Sequence, residues 1–388
     1  MIILGIETTC DETAASIMEV RNGGLFIMSN VVSSQVKLHA KWGGVVPNLA
    51  AREHLKNIIP VIKESLEEAK IAPKDIDLIS VANGPGLIPA LLIGVNAAKT
   101  LSYVWKKPLI GVHHIEGHIY ANFVGKNRKS PPKADQPLAE KIKFPILCLV
   151  VSGGHTQLVI MKNHLDYKII GETLDDAAGE AFDKVARILN LGYPGGPSVA
   201  AYANKIKNQK SPPKADQPLA EKIKIKEEKI LNTKYKILDT TFPRPMINSN
   251  NFNFSFSGLK TAVLYETKKH PKLLKNKHYV AEVCHEFQQS VCDVLISKTI
   301  KAAKKYNPKT IMLAGGVSAN LELRFQLGKA IKITLPGVDY RTPEMKYCVD
   351  NGAMIAAAGF YRWEKNKNKK TLSNNWKNLS ADANLKLK

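Results

Sequence analysis

The sequence predicts an α/β protein made of two related lobes, and three observations carry that reading. A strand–turn–strand pattern occurs twice. Ile2 to Ile6, the turn Glu7-Thr8-Thr9 and Ala14 to Val20 form the first copy; Ile146 to Val151, the turn Ser152 to Thr156 and Gln157 to Met161 form the second. Each copy opens a stretch in which strand-like and helix-like segments alternate, the signature of a substantially parallel sheet. The chain has 388 residues, beyond the roughly 250–300 at which a single core stops growing.

Taken in order, Ile2 to Ile6 is a continuous apolar run, as a strand covered on both faces requires. Leu55, Ile58, Ile59, Ile62, Leu66 and Ala69 recur at helical spacing, so a helix follows. Ile76 to Ala82 reads as a strand, Asn83-Gly84-Pro85-Gly86 as a sharp loop, and Leu87 to Val104 as an apolar helix. Leu109 to Val112 is a short strand that delivers the chain to His113-His114-Ile115-Glu116-Gly117-His118.

In the second half, the glycines of Ser152-Gly153-Gly154-His155 let backbone N–H groups approach an oxyanion. Leu174 to Arg187, with Asp175, Asp176, Glu180 and Asp183 among alanines, predicts a helix whose carboxylates face a cleft. Gly192 to Pro197 is a rigid turn, and Phe254 to Lys260 opens a further helix. A long helix is expected from about Tyr279 to Lys304, then a strand at Thr310 to Leu313. Ala314 to Asn320 joins that strand to a helix through two glycines, a geometry suited to a nucleotide. Asp350 stands at the start of a last, small-residue helix, where it could serve simply as an N-cap.

Apolar residues make up 44% of the chain and aromatics 7%, ordinary for a globular protein. The charge is not ordinary. Fifty-six Lys and Arg against 34 Asp and Glu leave +22, which favours a polyanionic partner, nucleic acid before an anionic membrane. The five cysteines are scattered without a C-x-x-C pair, as in a reducing compartment. The start lacks a basic n-region and reads as a strand, not a signal peptide. No run reaches the ~18–20 apolar residues of a membrane span. The expectation is a soluble cytoplasmic protein with no membrane partner.

Two segments stand apart. Ser130 to Lys143 and Ser211 to Lys224 are the same 14 residues, SPPKADQPLAEKIK. Identity to the letter argues for two copies of one inserted element in surface loops and against a diverged structural repeat. The segment from Trp363 to Lys388 is Lys/Asn-rich with little periodicity and is expected to be a flexible basic tail. The domain expectation is therefore a first lobe over 1–125, an insert over 126–145, a second lobe over 146–362 with its own insert near 208–226, and the tail over 363–388.

His114 and His118 are four positions apart, one helical turn, so both imidazoles can project from one face. Two neutral imidazoles at that spacing can hold a divalent metal with a carboxylate and open positions to spare. A helical zinc protease would need its glutamate directly after the first histidine; here Ile115 follows His114, and Glu116 lies on another face. An ATPase or kinase would use the glycine turns but has no role for the histidines.

These segments together resemble the TsaD/Gcp family of tRNA threonylcarbamoyladenosine transferases. The matching stretches are GIETTCDET (Gly5 to Thr13), NGPGL (Asn83 to Leu87), HHIEGH (His113 to His118), VSGGHT (Val151 to Thr156) and DDAAGEAFDK (Asp175 to Lys184). GYPGGP (Gly192 to Pro197), FSGLK (Phe256 to Lys260), GGVSAN (Gly315 to Asn320) and DNGAM (Asp350 to Met354) complete the set. The resemblance implies the two-domain fold shared by actin, Hsp70 and sugar kinases, with a nucleotide cleft between the lobes. It also implies transfer of threonylcarbamoyl from L-threonylcarbamoyladenylate to the adenosine just 3′ of the anticodon, in tRNAs reading ANN codons.

By resemblance, His114, His118 and Asp350 hold the metal, usually iron, although the same ligands serve zinc or manganese. Val150, Val151, Ser152, Gly153, Gly154, Asp183, Gly196 and Asn320 match the contacts to the nucleotide-bearing substrate. Asp11 and Glu12, beside the first turn, are candidates for proton handling, and His155 could touch phosphate or cap its hairpin. Implied partners are tRNA, a TsaB-like paralogue and a TsaE-like ATPase. The remaining alternative is a non-catalytic tRNA- or nucleotide-binding member of such a complex, against which the intact histidine pair argues.

Overall fold

The computed structural model describes residues 1–124, 142–210, 237, 238 and 240–387. Its frame is two five-stranded sheets of identical plan. The first is ordered β3 (Gly24–Ser34), β2 (Glu12–Arg21), β1 (Ile2–Glu7), β4 (Leu78–Gly84), β5 (Leu109–His113). The second runs β8 (Asp166–Glu172), β7 (Thr156–Asn163), β6 (Ile146–Val151), β9 (Thr310–Ala314), β10 (Asp339–Arg341). In each, the central strand pairs antiparallel with the strand that follows it and parallel with a later one across a helical crossover. The strand-for-strand match is the two-lobed actin-like plan that the resemblance implied.

The sheets are mixed, not substantially parallel: each has a three-stranded antiparallel meander beside two parallel pairings. The first hairpin strand and its mate were readable in both lobes. β3, β8 and β10 were not: they are mostly half-buried or exposed, and β8 and β10 carry no continuous apolar run.

Helices flank the sheets. In the first half these are α1 (Val36–Ala40), α2 (Pro47–Ala69), α3 (Ile88–Trp105) and α4 (His114–Tyr120). The second half adds α5 (Ala178–Ile188), α6 (Gly195–Lys210), α7 (Ser257–Lys269), α8 (Lys277–Tyr306), α9 (Leu321–Thr334) and α10 (Gly352–Lys365). Ile58 and Ile62 of α2 and Val95 and Ala98 of α3 pack with Leu4, Ile6, Ile79 and Val81 on one face of the first sheet. Leu55 and Ile59, expected on that core stripe, face solvent instead.

The other face of the first sheet is covered from the far end of the sequence. Ala353 to Ala358 of α10 pack with Ile3, Leu78 and Val112. Contact is close enough to require glycine on both sides: a Cβ on Gly5 would lie 2.2 Å from the Gly352 carbonyl oxygen, and one on Gly352 would lie 2.5 Å from the Ser16 nitrogen. So a helix within the second-lobe span drawn from the sequence seats on the first sheet.

The basic tail also differs from expectation, because its backbone is bound to the first lobe. Asp382 N–H donates to Asn83 O at 2.8 Å and Asn83 Nδ2 donates to Ser380 O at 3.1 Å. Asn375 Nδ2 reaches Leu109 O, Lys99 Nζ reaches Leu379 O, and His113 Nε2 meets Leu385 O. Leu372 is buried beneath it. Aperiodic polar sequence hides such docking, since the anchor groups are backbone amides and carbonyls. The two repeated segments lie outside the described residues, apart from Ile142 and Lys143. No helix among the described residues is long and apolar enough to cross a membrane.

Candidate metal centre

Three parallel-edge elements end at one place. β1 ends at Glu7, β5 runs straight into α4 at His114, and the chain reaches Asp350 just before α10. The carboxyl ends of parallel strands are where open α/β sheets bind ligands, because the connecting loops diverge there. The Gly5–Gly352 contact fixes the height of α10 against β1, and with it the approach of Asp350.

One turn of α4 puts His114 and His118 side by side, ring centroids 4.7 Å apart. Asp350 Oδ1 lies 3.5 Å from His114 Nε2 and 3.2 Å from His118 Nε2. All three ligand atoms fall within 4.8 Å of one another, and both histidines are buried. Ligand atoms about 2.0–2.2 Å from an ion stand roughly 3 Å apart at right angles, so the set fits a divalent cation with small adjustments. Asp350 is not an N-cap. Asn351 is, accepting from Met354 N–H at 3.0 Å, which leaves the Asp350 carboxylate to the histidines.

A residue that the sequence did not single out completes the centre. Glu7, fully buried, has Oε2 3.0 Å from His114 Nδ1, while its Oε1 accepts from Thr9 N–H. Thr9 Oγ1 is 3.1 Å from the same imidazole nitrogen. A carboxylate on Nδ1 fixes the tautomer and aims Nε2 at the ion. The first turn is thus a support for His114, with Thr8 Oγ1 committed to Ala90 O. A buried glutamate ending a strand level with a histidine-bearing strand is the signal that could have found it.

The electrostatics fit this reading. Burial opposes charge on His114, but Asp350 and Glu7 outweigh it and hold the imidazolium up to about 9. Burial likewise opposes charge on Asp350, yet His114 and His118 hold its carboxyl down at about 2. A raised histidine stabilises the metal-free fold fully below its ordinary value near 6.5, and that contribution is lost as pH rises through about 9. Because the ion needs neutral imidazole, binding between pH 7 and 9 should release one proton. Apparent metal affinity should then rise about tenfold per pH unit. Titration calorimetry in buffers of different ionisation enthalpy checks this; a pH-independent affinity would contradict it.

Across from the centre, the second hairpin turn contributes His155. Burial first, then the charges of His114 and His118, push it down to about 4, so it faces the centre neutral. Its N–H donates to Ser152 Oγ, so it also closes its own hairpin. Gly153 and Gly154 are exposed with open space where a Cβ would be, as close backbone approach requires. Val150 and Val151 turn fully buried side chains to the core and offer only backbone.

Asp183 Oδ1 accepts from Gly195 N–H at 2.7 Å, binding α5 to the turn that holds Gly196. Asn320 caps α9 through Leu323 N–H and donates to Gln288 Oε1. Asp11 is buried beside the centre. Burial, then the charges of Asp11 and Asp350, raises Glu12 to about 10, so its carboxyl holds a proton at neutral pH.

Fold and site together define a two-lobed actin-like protein with a His–His–Asp cluster at its strand ends that could hold a metal ion. The chain belongs to the TsaD family of tRNA N6-adenosine threonylcarbamoyltransferases, whose family model matches residues 26–357. It is 45% identical over 368 residues to the tRNA N6-adenosine threonylcarbamoyltransferase of Persephonella marina, covering 94% of this chain and 91% of that one. It is 46% identical over 366 residues to the Bacillus subtilis protein of the same description, with 94% and 91% covered.

Proposed function

We propose that this chain transfers the threonylcarbamoyl group of L-threonylcarbamoyladenylate to the exocyclic amine of the adenosine 3′ of the anticodon in ANN-reading tRNAs. The observation that carries the reading is the His114–His118–Asp350 set with Glu7 behind it, an investment a purely binding member would not need. In the reaction the adenosine N6–carbon bond forms and the bond from the carbamoyl carbon to the phosphate oxygen breaks. AMP leaves, and the amine proton passes to a carboxylate, for which buried Asp11 is the candidate.

His114, His118 and Asp350 would hold a divalent ion, iron by preference with zinc and manganese sharing the ligand chemistry, which would supply Lewis acidity. The Glu12 carboxyl, pushed up to about 10 by burial and then by Asp11 and Asp350, is the second candidate for proton handling. In this reading the backbone of Val150 to Gly154 and the first turn of α6 at Gly196 would meet the adenylate moiety, while Asp183 binds Gly195 N–H and Asn320 caps α9. Among the described residues no serine or cysteine is paired with a histidine in a nucleophile's geometry within this centre, which favours direct transfer. Cys10 supports that view: burial, then Asp11 and Asp350, push its thiol well above the ordinary range.

The exposed lysines 268, 269, 272, 275 and 277 are candidates for phosphate contacts with tRNA, on a chain of charge +22. A TsaB-like paralogue and a TsaE-like ATPase complete the reading as partners, and the cytoplasm as the place where the tRNA is met. The test mixes the protein with unmodified ANN-decoding tRNA, the adenylate and those partners, wild type beside His114→Ala. Nucleoside mass spectrometry should find threonylcarbamoyladenosine with wild type only. Product from both would remove the metal assignment, and tRNA binding without product from either would favour the non-catalytic alternative.

A further inference from the structure

Of the four tryptophans, three are at least partly packed and one is not: Trp42 is 68% exposed. It sits in the loop Lys41-Trp42-Gly43-Gly44-Val45-Val46 between α1 and α2. An indole left in water is costly to hold there without a use, because its apolar area would be stabilised by burial.

The loop beneath it is tied down. His39, fully buried, receives Val46 N–H on Nδ1 and its carbonyl accepts from both Trp42 and Gly44 N–H. Its Nε2 meets Gln35 Oε1 at 3.0 Å, and Gln35 N–H donates to the carbonyl of Asp11. Gly43 adopts φ +67°, a left-handed conformation that suits glycine and turns the chain sharply. The loop is therefore fixed from below, through Gln35, to Asp11 just before β2.

It is also fixed from across the cleft. Arg187 Nη2, on α5 of the second lobe, donates to the Gly43 carbonyl. Arg187 lies one turn beyond Asp183 on the same helix face, so the loop bridges the two lobes next to the candidate adenylate turn. Exposed Lys41 precedes Trp42 in the chain, exposed Arg187 reaches Gly43, the residue after it, and Val45 and Val46 close the loop half-buried.

We propose that Trp42 is a stacking platform for an unpaired base of the tRNA anticodon loop, with Lys41 and Arg187 meeting the flanking phosphates. This rests on the tRNA-modifying reading above. Sequence-tolerant recognition of single-stranded RNA combines aromatic faces with a cationic track, and this loop presents both. A protein partner would be expected to meet further exposed apolar groups in the loop, whereas here the exposed residues beside Gly43 are Lys41, Trp42 and Arg187 and the two valines are half-buried. A preformed platform also costs little ordering on binding.

The experiment measures binding of an unmodified ANN anticodon stem-loop, and KM for full tRNA in the transfer assay, with Trp42→Ala, Trp42→Phe and wild type. Trp42→Ala should weaken binding and raise KM roughly 5- to 140-fold, leaving kcat and metal content unchanged. Trp42→Phe should recover most of the loss. A stem-loop made abasic at the stacked position should bind both proteins equally, and a scan of abasic sites finds that position. Wild type that modifies tRNA while Trp42→Ala keeps its KM would overturn the platform alone. Loss of TsaB-like partner binding with RNA affinity intact would assign Trp42 to a protein surface instead. Wild type that neither binds nor modifies tRNA would remove the parent reading and the platform together.

Discussion

Asp350→Ala is expected to strip the metal and abolish transfer while leaving the fold intact. Asp350 is the single anionic ligand, and its Oδ1 is what both imidazoles share. Removing an outer-shell partner typically costs 10–100-fold in affinity, so losing this charged inner ligand should cost roughly a thousandfold or more. Stability should survive because α10 is capped by Asn351 and seated by the Gly5–Gly352 contact, neither of which involves the carboxylate. Metal analysis after dialysis, thermal unfolding and the transfer assay read the three parts separately. Full metal content in the variant would show that the ion is held elsewhere.

The second large effect is on stability. Glu116, between the two histidines on the opposite face of α4, is fully buried and held bidentately by Arg362 of α10, with Nε–Oε1 2.5 Å and Nη2–Oε2 3.0 Å. This pair ties the helix carrying His114 and His118 to the helix that follows Asp350. Arg362→Ala leaves the glutamate buried without its cation, a change that typically costs about 3–5 kcal/mol. Burial already pushes the Glu116 carboxyl up even with Arg362 present, so the orphaned group should take up a proton. Glu116→Gln should cost less, because the Arg362 side chain is 37% exposed and can turn to water. Chemical denaturation of the two variants checks the order; equal losses would mean that packing, not charge, holds the helices together.

Much of this protein could be read from its residues. Continuous apolar runs announced β1, β4, β6 and β9, because strands buried on both faces need no polar side. The duplication of the lobes showed in the two hairpin turns, and the His114–His118 spacing announced the side-by-side imidazoles, because one helical turn is a local geometry. Chain-long motif order then carried the family, and with it Asp350.

What tertiary structure alone decided is everything that joins residues distant in sequence. That Glu7 supports His114 depends on β1 and β5 ending side by side, with β4 between them. That Asp350 meets both imidazoles while Asn351 caps the helix depends on how α10 crosses Gly5, 345 positions from Asp350 by the numbering. The docked tail, the Glu116–Arg362 tie and the interlobe seat of the Trp42 loop rest on backbone amides, carbonyls or single ion pairs. Such contacts leave no period in the sequence. Hydrophobic periodicity records which face of an element is buried, but not which distant element buries it, and the metal centre is made from that second kind of information.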